Sequence, residues 1–196
     1  MGNPAEKLRR ATYANLEAVP PGKVAELIAG ELFVFPRPAP RHANAASGLI
    51  TLTRGPLQHG QGGPGGWWIL YEPELHFPDP TAPRAFHALV PDLAGWRRER
   101  MPELPDVAAF TLAPDWICEV LSPSTMAHDR ELKMPLNAEQ GVRWAWLVDP
   151  AERTLEVYVL GEEARRNEAR RYQGTEQVRA EPFDAIALDL GLLWAR

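Results

Sequence analysis

The stretch PDWICEVLSPST, residues 114–125, decides how this chain is read. Ile117, Cys118, Val120 and Leu121 make it apolar, and Glu119 stands in its middle. Strand side chains alternate between faces, so Glu119 shares a face with Ile117 and Leu121 while Trp116, Cys118 and Val120 take the other. With both faces apolar, the segment predicts a central strand covered on both sides. An isolated carboxylate there is costly and takes up a proton unless it is paired or bound to a metal. Glu119 therefore sits at the open end of its strand or meets something positive.

Working outward, VAELIAGELFVF (24–35) predicts a β-hairpin turning at Ala29-Gly30. His42 to Leu57 has the apolar spacing of a helix. WWILYEPELHF (67–77) predicts a strand interrupted at Pro73, and AFHALVPDLAGW (85–96) another, bent at Pro91. RWAWLVDPAERTLEVYVL (143–160) predicts a hairpin around DPAER. The carboxyl-terminal FDAIALDLGLLWAR packs back as short pieces. Residues 4–18 predict a short helix ahead of Pro20-Pro21, so residues 1–22 form a loosely attached amino-terminal element. The fold class is α+β: a central mixed sheet flanked by helices, with an amino-terminal β-hairpin, in one domain over 1–196. The glycine-rich HGQGGPGG (59–66) lacks a following Gly-Lys-Ser/Thr and has no claim to cradle phosphate.

Composition narrows the function classes. One cysteine excludes a disulfide framework and fits a reducing compartment. No apolar stretch approaches the ~18 residues of a membrane span, and the amino terminus lacks the apolar centre of a signal peptide, so the expected location is cytoplasmic with no membrane partner. The net charge of −5 lacks the basic balance of most nucleic-acid binders. Contact with a polyanion would fall to local groups such as Arg97, Arg98 and Arg100 in GWRRERM, although their interleaved glutamates also fit a solvated charged face.

Two acids stand against apolar strands, Asp92 in ALVPDLAGW and Glu119. On adjacent strands at matching depth, their carboxylates can converge on one hard cation. Magnesium suits such a pair, since it takes oxygen ligands, keeps several waters and needs only one or two carboxylates plus substrate phosphates. Lys133 follows, and could approach the attacking water or the scissile phosphate. Glu31 and Glu74, on predicted strands, could extend the acidic cluster. Each residue also has a plainer explanation. Asp92 can shape a turn, Glu119 can pair with an arginine such as Arg97, and Lys133 can pair with Asp129 at i, i+4 on a surface. Glu31 and Glu74 can simply face solvent.

The order Pro-Asp, an apolar strand with Glu, EVLSPST, an Asp, a Lys, and GV…WLVDP resembles the Uma-type restriction endonucleases of the PD-(D/E)XK nuclease superfamily. The resemblance runs from ELIAGELFVFPRPAPRH through LVPDLAGW and is densest from Pro114 to Tyr158. It implies a restriction-endonuclease-like fold and a Mg²⁺-dependent endonuclease acting on DNA, with Mn²⁺ as substitute. Asp92 and Glu119 would be the metal carboxylates, Lys133 the catalytic lysine, and Ser122 and Asp129 supports. The superfamily's usual lysine position, two residues after the acid, is Leu121 here, so the lysine has moved to the following helix. Where the family continues with a good helix former and an aromatic, this chain has Pro135 and Asn137. Proline clashes with the preceding turn in a helix interior, which predicts a helix starting near Arg130 to Leu132. Cutting both strands with one site per chain implies a homodimer. A catalytically inactive nuclease-fold binding module is the alternative.

Overall fold

The computed structural model describes residues 10–80, 82, 85–161 and 166–194. Of the helix expected over 4–18, only α1 (Tyr13–Glu17) falls in the described part, and residues 1–9 lie outside it. The hairpin is β1 (Lys23–Ile28) and β2 (Glu31–Pro36), closed by Ala29 at φ 51° and Gly30 at φ 78°. Two successive positive φ values are what a tight two-residue hairpin needs, and glycine tolerates them best. Helix α2 (Pro40–Thr53) begins with proline in its first turn, where no N–H is needed, and continues into a π-helical turn, Arg54–Gln58, around Pro56.

The next four strands are β3 (Trp67–Tyr71), β4 (Leu75–Pro78), β5 (Phe86–Leu89) and β6 (Leu93–Arg97). Two segments expected to be single interrupted strands are divided between two sheets, because the prolines do more than bend them. The chain leaves one sheet at 72–74 and returns at 90–92. Then come β7 (Trp116–Val120), a helical stretch α3 (Met126–His128) and α4 (Met134–Glu139) joined by a π-helical turn Asp129–Lys133, and β8 (Trp144–Asp149). Strands β9 (Thr154–Leu160), β10 (Arg166–Gln173), β11 (Gln177–Val178) and β12 (Leu188–Asp189) complete the described chain with a short 3₁₀ turn, Leu190–Leu192.

The central sheet has the order β10-β9-β8-β7-β6-β3, mixed because β7 and β8 run parallel while the other pairs are antiparallel. A second, antiparallel sheet has the order β2-β1-β5-β4, and β11 pairs with β12. Strand β7 is buried along its whole length, as its sequence required. Trp116, Cys118 and Val120 pack with Ala45, Ala46 and Leu49 of α2 and with Phe183, Leu193 and Trp194 of the carboxyl-terminal pieces. Ile117 and Leu121 pack on the opposite side with Met134 and Leu136 of α4 and with Leu75, Phe77 and Leu89 of the second sheet. The alternation read from sequence is the division between the two cores.

Candidate active site

The two acids are brought together by the pairing of β6 with β7. Leu93 pairs with Cys118, so one step further Asp92 stands opposite Glu119 at the end of the ladder. Asp92 has left the strand, and its side chain replaces a missing ladder bond: Oδ2 accepts from the Val120 N–H at 2.7 Å. Its other oxygen lies 3.1 Å from His42 Nε2, at the amino-terminal end of α2. Asp92 thus does shape the backbone, and does so beside Glu119.

Lys133 arrives from the helix that follows β7. That helix begins at Met126, before the Arg130 to Leu132 start expected from Pro135, and the π-helical turn is the reason it can. Proline at 135 would push its ring against the Glu131 carbonyl in a regular α-helix. In the π-helical turn the Met134 N–H reaches instead to the Asp129 carbonyl, five residues back, which widens the coil just ahead of the proline. Asn137 Nδ2 then donates to the Lys133 carbonyl at 2.9 Å. Lys133 is turned inward and buried, not paired on a surface.

Its ammonium donates to Glu119 Oε2 at 2.9 Å and to the Val90 carbonyl at 3.1 Å, and lies 3.0 Å from Glu26 Oε1 and 3.8 Å from Asp129 Oδ1. Glu119's positive partner is therefore Lys133 and not Arg97. Glu26, in β1, also accepts from the Val90 N–H at 2.7 Å, and its Oε2 lies 2.6 Å from His128 Nε2. Glu26 and His128 were missed by the sequence reading. Yet Glu26 stands among Ala25, Leu27 and Ile28 as Glu119 stands among its apolar neighbours, and that shared pattern was the available signal.

The charges do not balance locally. Burial pushes the Glu119 carboxyl well above its usual range, and Asp129, Asp92 and Glu26 push the same way against Lys133. Burial also raises Asp129. For Glu26, burial is outweighed by Lys133, His128 and the Val90 N–H, and its carboxyl is lowered. Burial alone would lower Lys133, but Glu119, Glu26 and Asp129 hold it well above its ordinary value, so it is charged. His42 is raised because its bond to Asp92 outweighs burial. Glu119 Oε1, His42 Nδ1 and His128 Nδ1 are buried without a hydrogen-bond partner.

These groups line a cleft of about 250 Å³ between the hairpin and the Ser122–Thr125 turn. Asp92, Glu119, Lys133, Ser122 and Asp129 all line it, along with Glu26, His42, Glu72, His128 and Arg37. The Ser122 hydroxyl lies 3.0 Å from those of Ser124 and Thr125, closing the turn. Glu31 and Glu74 are not among the lining residues: Glu31 is exposed at the hairpin end, and Glu74 is bonded to Tyr13 and His76. Nor are Arg97, Arg98 and Arg100. Because β6 is extended, Arg97 lies about 16 Å along the chain from Asp92, and closeness in sequence carried it to the far end of the strand. There its guanidinium stacks 5.3 Å from the Trp67 ring and 5.1 Å from that of Trp144. Arg98 stacks on Trp68 at 4.1 Å, and Arg100 pairs with Asp115 at 3.0 Å. Among the described residues no group of three His, Cys, Asp or Glu side chains is arranged to hold a metal unaided.

Comparison with solved structures finds a protein described as a "putative nuclease belonging to DUF820" from Anabaena variabilis ATCC 29413. It superposes with a TM-score of 0.66 at 22% identity, over 87% of this chain and 89% of the other. With the mixed central sheet, that likeness identifies a restriction-endonuclease-like fold. No curated protein sequence matches the chain. The family Uma2, described as "Putative restriction endonuclease", matches residues 10–191, nearly the whole chain, and with the paired acids and inward lysine already in place the protein belongs to the Uma2 family.

Proposed function

We propose that this cleft hydrolyses phosphodiester bonds in DNA with the help of one divalent cation, Mg²⁺ or Mn²⁺, held by Asp92 and Glu119. The observation that carries the reading is Glu119 Oε1, a buried carboxylate oxygen without a partner, beside a second carboxylate and within a surplus of negative charge. A hard cation is what such a surplus accepts, and one or two carboxylates suffice when waters and substrate phosphate complete the shell. When bound, the cation polarises the phosphoryl group and makes the attacking water more acidic.

The protein's own groups supply the rest. Lys133, held charged by Glu26 and Asp129, places an ammonium beside Glu119 where phosphoryl charge develops. His42 fixes one oxygen of Asp92 and the Val120 N–H fixes the other, so the carboxylate is positioned before any substrate arrives. Cutting both strands of a duplex with one cleft per chain takes two chains, so a cytoplasmic homodimer belongs to this reading. The rival, a catalytically silent binding module, draws on the same lysine, whose bonds are all made internally. Plasmid nicking with Mn²⁺ separates the two. Nicking by the wild type that Asp92→Asn abolishes supports the enzyme. Failure of the folded wild type to nick or cut any DNA in Mn²⁺ or Mg²⁺ supports the module.

A further inference from the structure

The outer strands of the two larger sheets are β2 and β4 in one, and β3 and β10 in the other. An uncovered outer strand is a template for another strand, and three of these are managed. The edge of β4 is closed by the loop at Phe110, whose N–H donates to the Glu74 carbonyl and whose carbonyl accepts from the His76 N–H, each at 2.9 Å. At β3, Gln58 Oε1 accepts from the Ile69 N–H at 3.0 Å. Strand β10 carries Arg166, Glu168, Arg170 and Arg171 and is bulged between Glu168 and Arg170, and charge and bulge both discourage pairing. Strand β2 has no such cover: among the described residues only β1 pairs with it.

The outward groups of β2 follow from its turn. In a hairpin closed by two residues, the flanking pair, here Ile28 and Glu31, exchange hydrogen bonds. Alternation then turns Glu31, Phe33 and Phe35 to β1, and leaves the N–H and C=O of Leu32 and Val34 outward with the C=O of Pro36. Proline at an outward position costs β1 no bond, which fits this phase. Between Glu31 and Arg37 the chain is uncharged, and Val34 is 46% exposed. The two end charges are opposite in sign and exposed, and neither side chain forms a hydrogen bond or ion pair among the described residues. Arg37 precedes Pro38, which keeps its backbone extended in line with the strand.

We propose that β2 pairs antiparallel with β2 of a second copy of this chain, about a twofold axis at Val34, so that one sheet runs through the dimer. Val34 then exchanges both backbone bonds with the partner's Val34, and the Leu32 N–H meets the carbonyl of the partner's Pro36. Phe33 meets the partner's Phe35 on the face where both rings already lie against His128, at 4.6 and 4.9 Å between centroids. Glu31 stands opposite the partner's Arg37, and Arg37 opposite the partner's Glu31. Sliding the strands separates both charge pairs, so the charges specify the register. Phe35, Pro36 and Arg37 line the cleft, so the axis sets two clefts on one face of the joined sheet. The purpose of two clefts rests on the phosphodiesterase reading; the pairing surface rests on the strand edge alone.

Sedimentation velocity of the full-length protein without DNA, over a range of concentrations, tests the pairing. Wild type sediments as a dimer in equilibrium with monomer. Val34→Pro removes an outward N–H and leaves the bonds to β1 complete; it sediments as a monomer with the circular dichroism of wild type. Glu31→Arg and Arg37→Glu each make both charge pairs repulsive and weaken the dimer about tenfold, less at high salt. The double variant Glu31→Arg/Arg37→Glu restores wild-type affinity. A wild type that is monomeric up to its solubility limit, a folded Val34→Pro that still dimerises, or a double variant no tighter than the single ones overturns the pairing. Where Val34→Pro does not fold, the charge exchange decides. A dimer that follows this pattern but never cuts DNA leaves the interface standing and sinks the nuclease reading. Cutting by a protein that stays monomeric sinks the interface alone.

Discussion

Lys133 donates to Glu119 across 2.9 Å, joining the helix after β7 to the carboxyl-terminal end of β7 itself. The same ammonium faces Glu26 from another sheet, so its removal leaves several buried carboxylates with no cation between them. Lys133→Ala is therefore a stability mutant before it is a catalytic one. Breaking a buried pair from one side costs about 3–5 kcal/mol, and urea unfolding at neutral pH should show a loss of that order. A change of a few tenths, as for a surface i, i+4 pair, would contradict the burial.

Catalysis by this lysine is better tested in a compensated protein. Glu26→Gln with Lys133→Ala removes a charge of each sign and should recover much of the lost stability. If the ammonium serves the transition state, the double variant turns over on the order of a hundredfold more slowly than Glu26→Gln alone, with unchanged DNA affinity. Equal rates for the two would assign the lysine to folding only.

Glu119 should show the opposite sign in stability. Its folded carboxyl is raised above the ordinary 4.5, so above that pH the folded state holds more protons than the unfolded one. Stability then falls as pH rises through the window. In EDTA, Glu119→Gln should melt at higher temperature than wild type at pH 7, with the advantage shrinking towards pH 4. Thermal unfolding across that range reads it directly; an advantage independent of pH would mean Glu119 is not the strained group.

A divalent cation should relieve the same strain. Calorimetry with Mn²⁺ should find one site in wild type and none in Asp92→Asn or Glu119→Gln. At a hundred times its dissociation constant the ion should stabilise wild type by about 2.7 kcal/mol. Identical heats in all three proteins would remove the two carboxylates from the site.

Arg97 is half-buried against two tryptophan rings, at the end of β6 away from the cleft. Its stack between Trp67 and Trp144 predicts that Arg97→Ala lowers stability by about 0.5–2 kcal/mol while DNA affinity stays unchanged. A salt-sensitive loss of DNA binding with unchanged stability would return this arginine to the interface.

Much of this was legible in the chain. Period-two alternation around Glu119 placed its neighbours in the correct cores, and Ala29-Gly30 marked the hairpin turn because only certain residues accept positive φ. Asp92, Glu119 and Lys133 were found through their motif. What escaped had no local signal. His128 meets Glu26 across 102 residues, a contact that only the packing of two sheets creates. Arg97, Arg98 and Arg100 were expected close to Asp92 because they follow it in sequence, and the extended β6 carries them away from the cleft instead. Pro135 was read as a helix boundary, since a one-residue widening of the coil upstream leaves no mark in the pattern.

The division of the chain between two sheets at 72–74 and 90–92 gives the molecule a seam with unlike ends. Away from the cleft the seam is apolar, closed by residues such as Leu75, Phe77, Leu89 and Trp96. At the cleft it is held by Glu26 reaching across to Lys133 and His128. Glu26 has a lowered carboxyl, so its contribution is present above the usual carboxylate range and is lost as pH falls through its folded value. Acid should therefore loosen the seam from the cleft side first. In native-state hydrogen exchange, the amides of β1 and of the helix carrying Lys133 would then open together as one cooperative unit, while those of β7 and β8 stay protected until global unfolding.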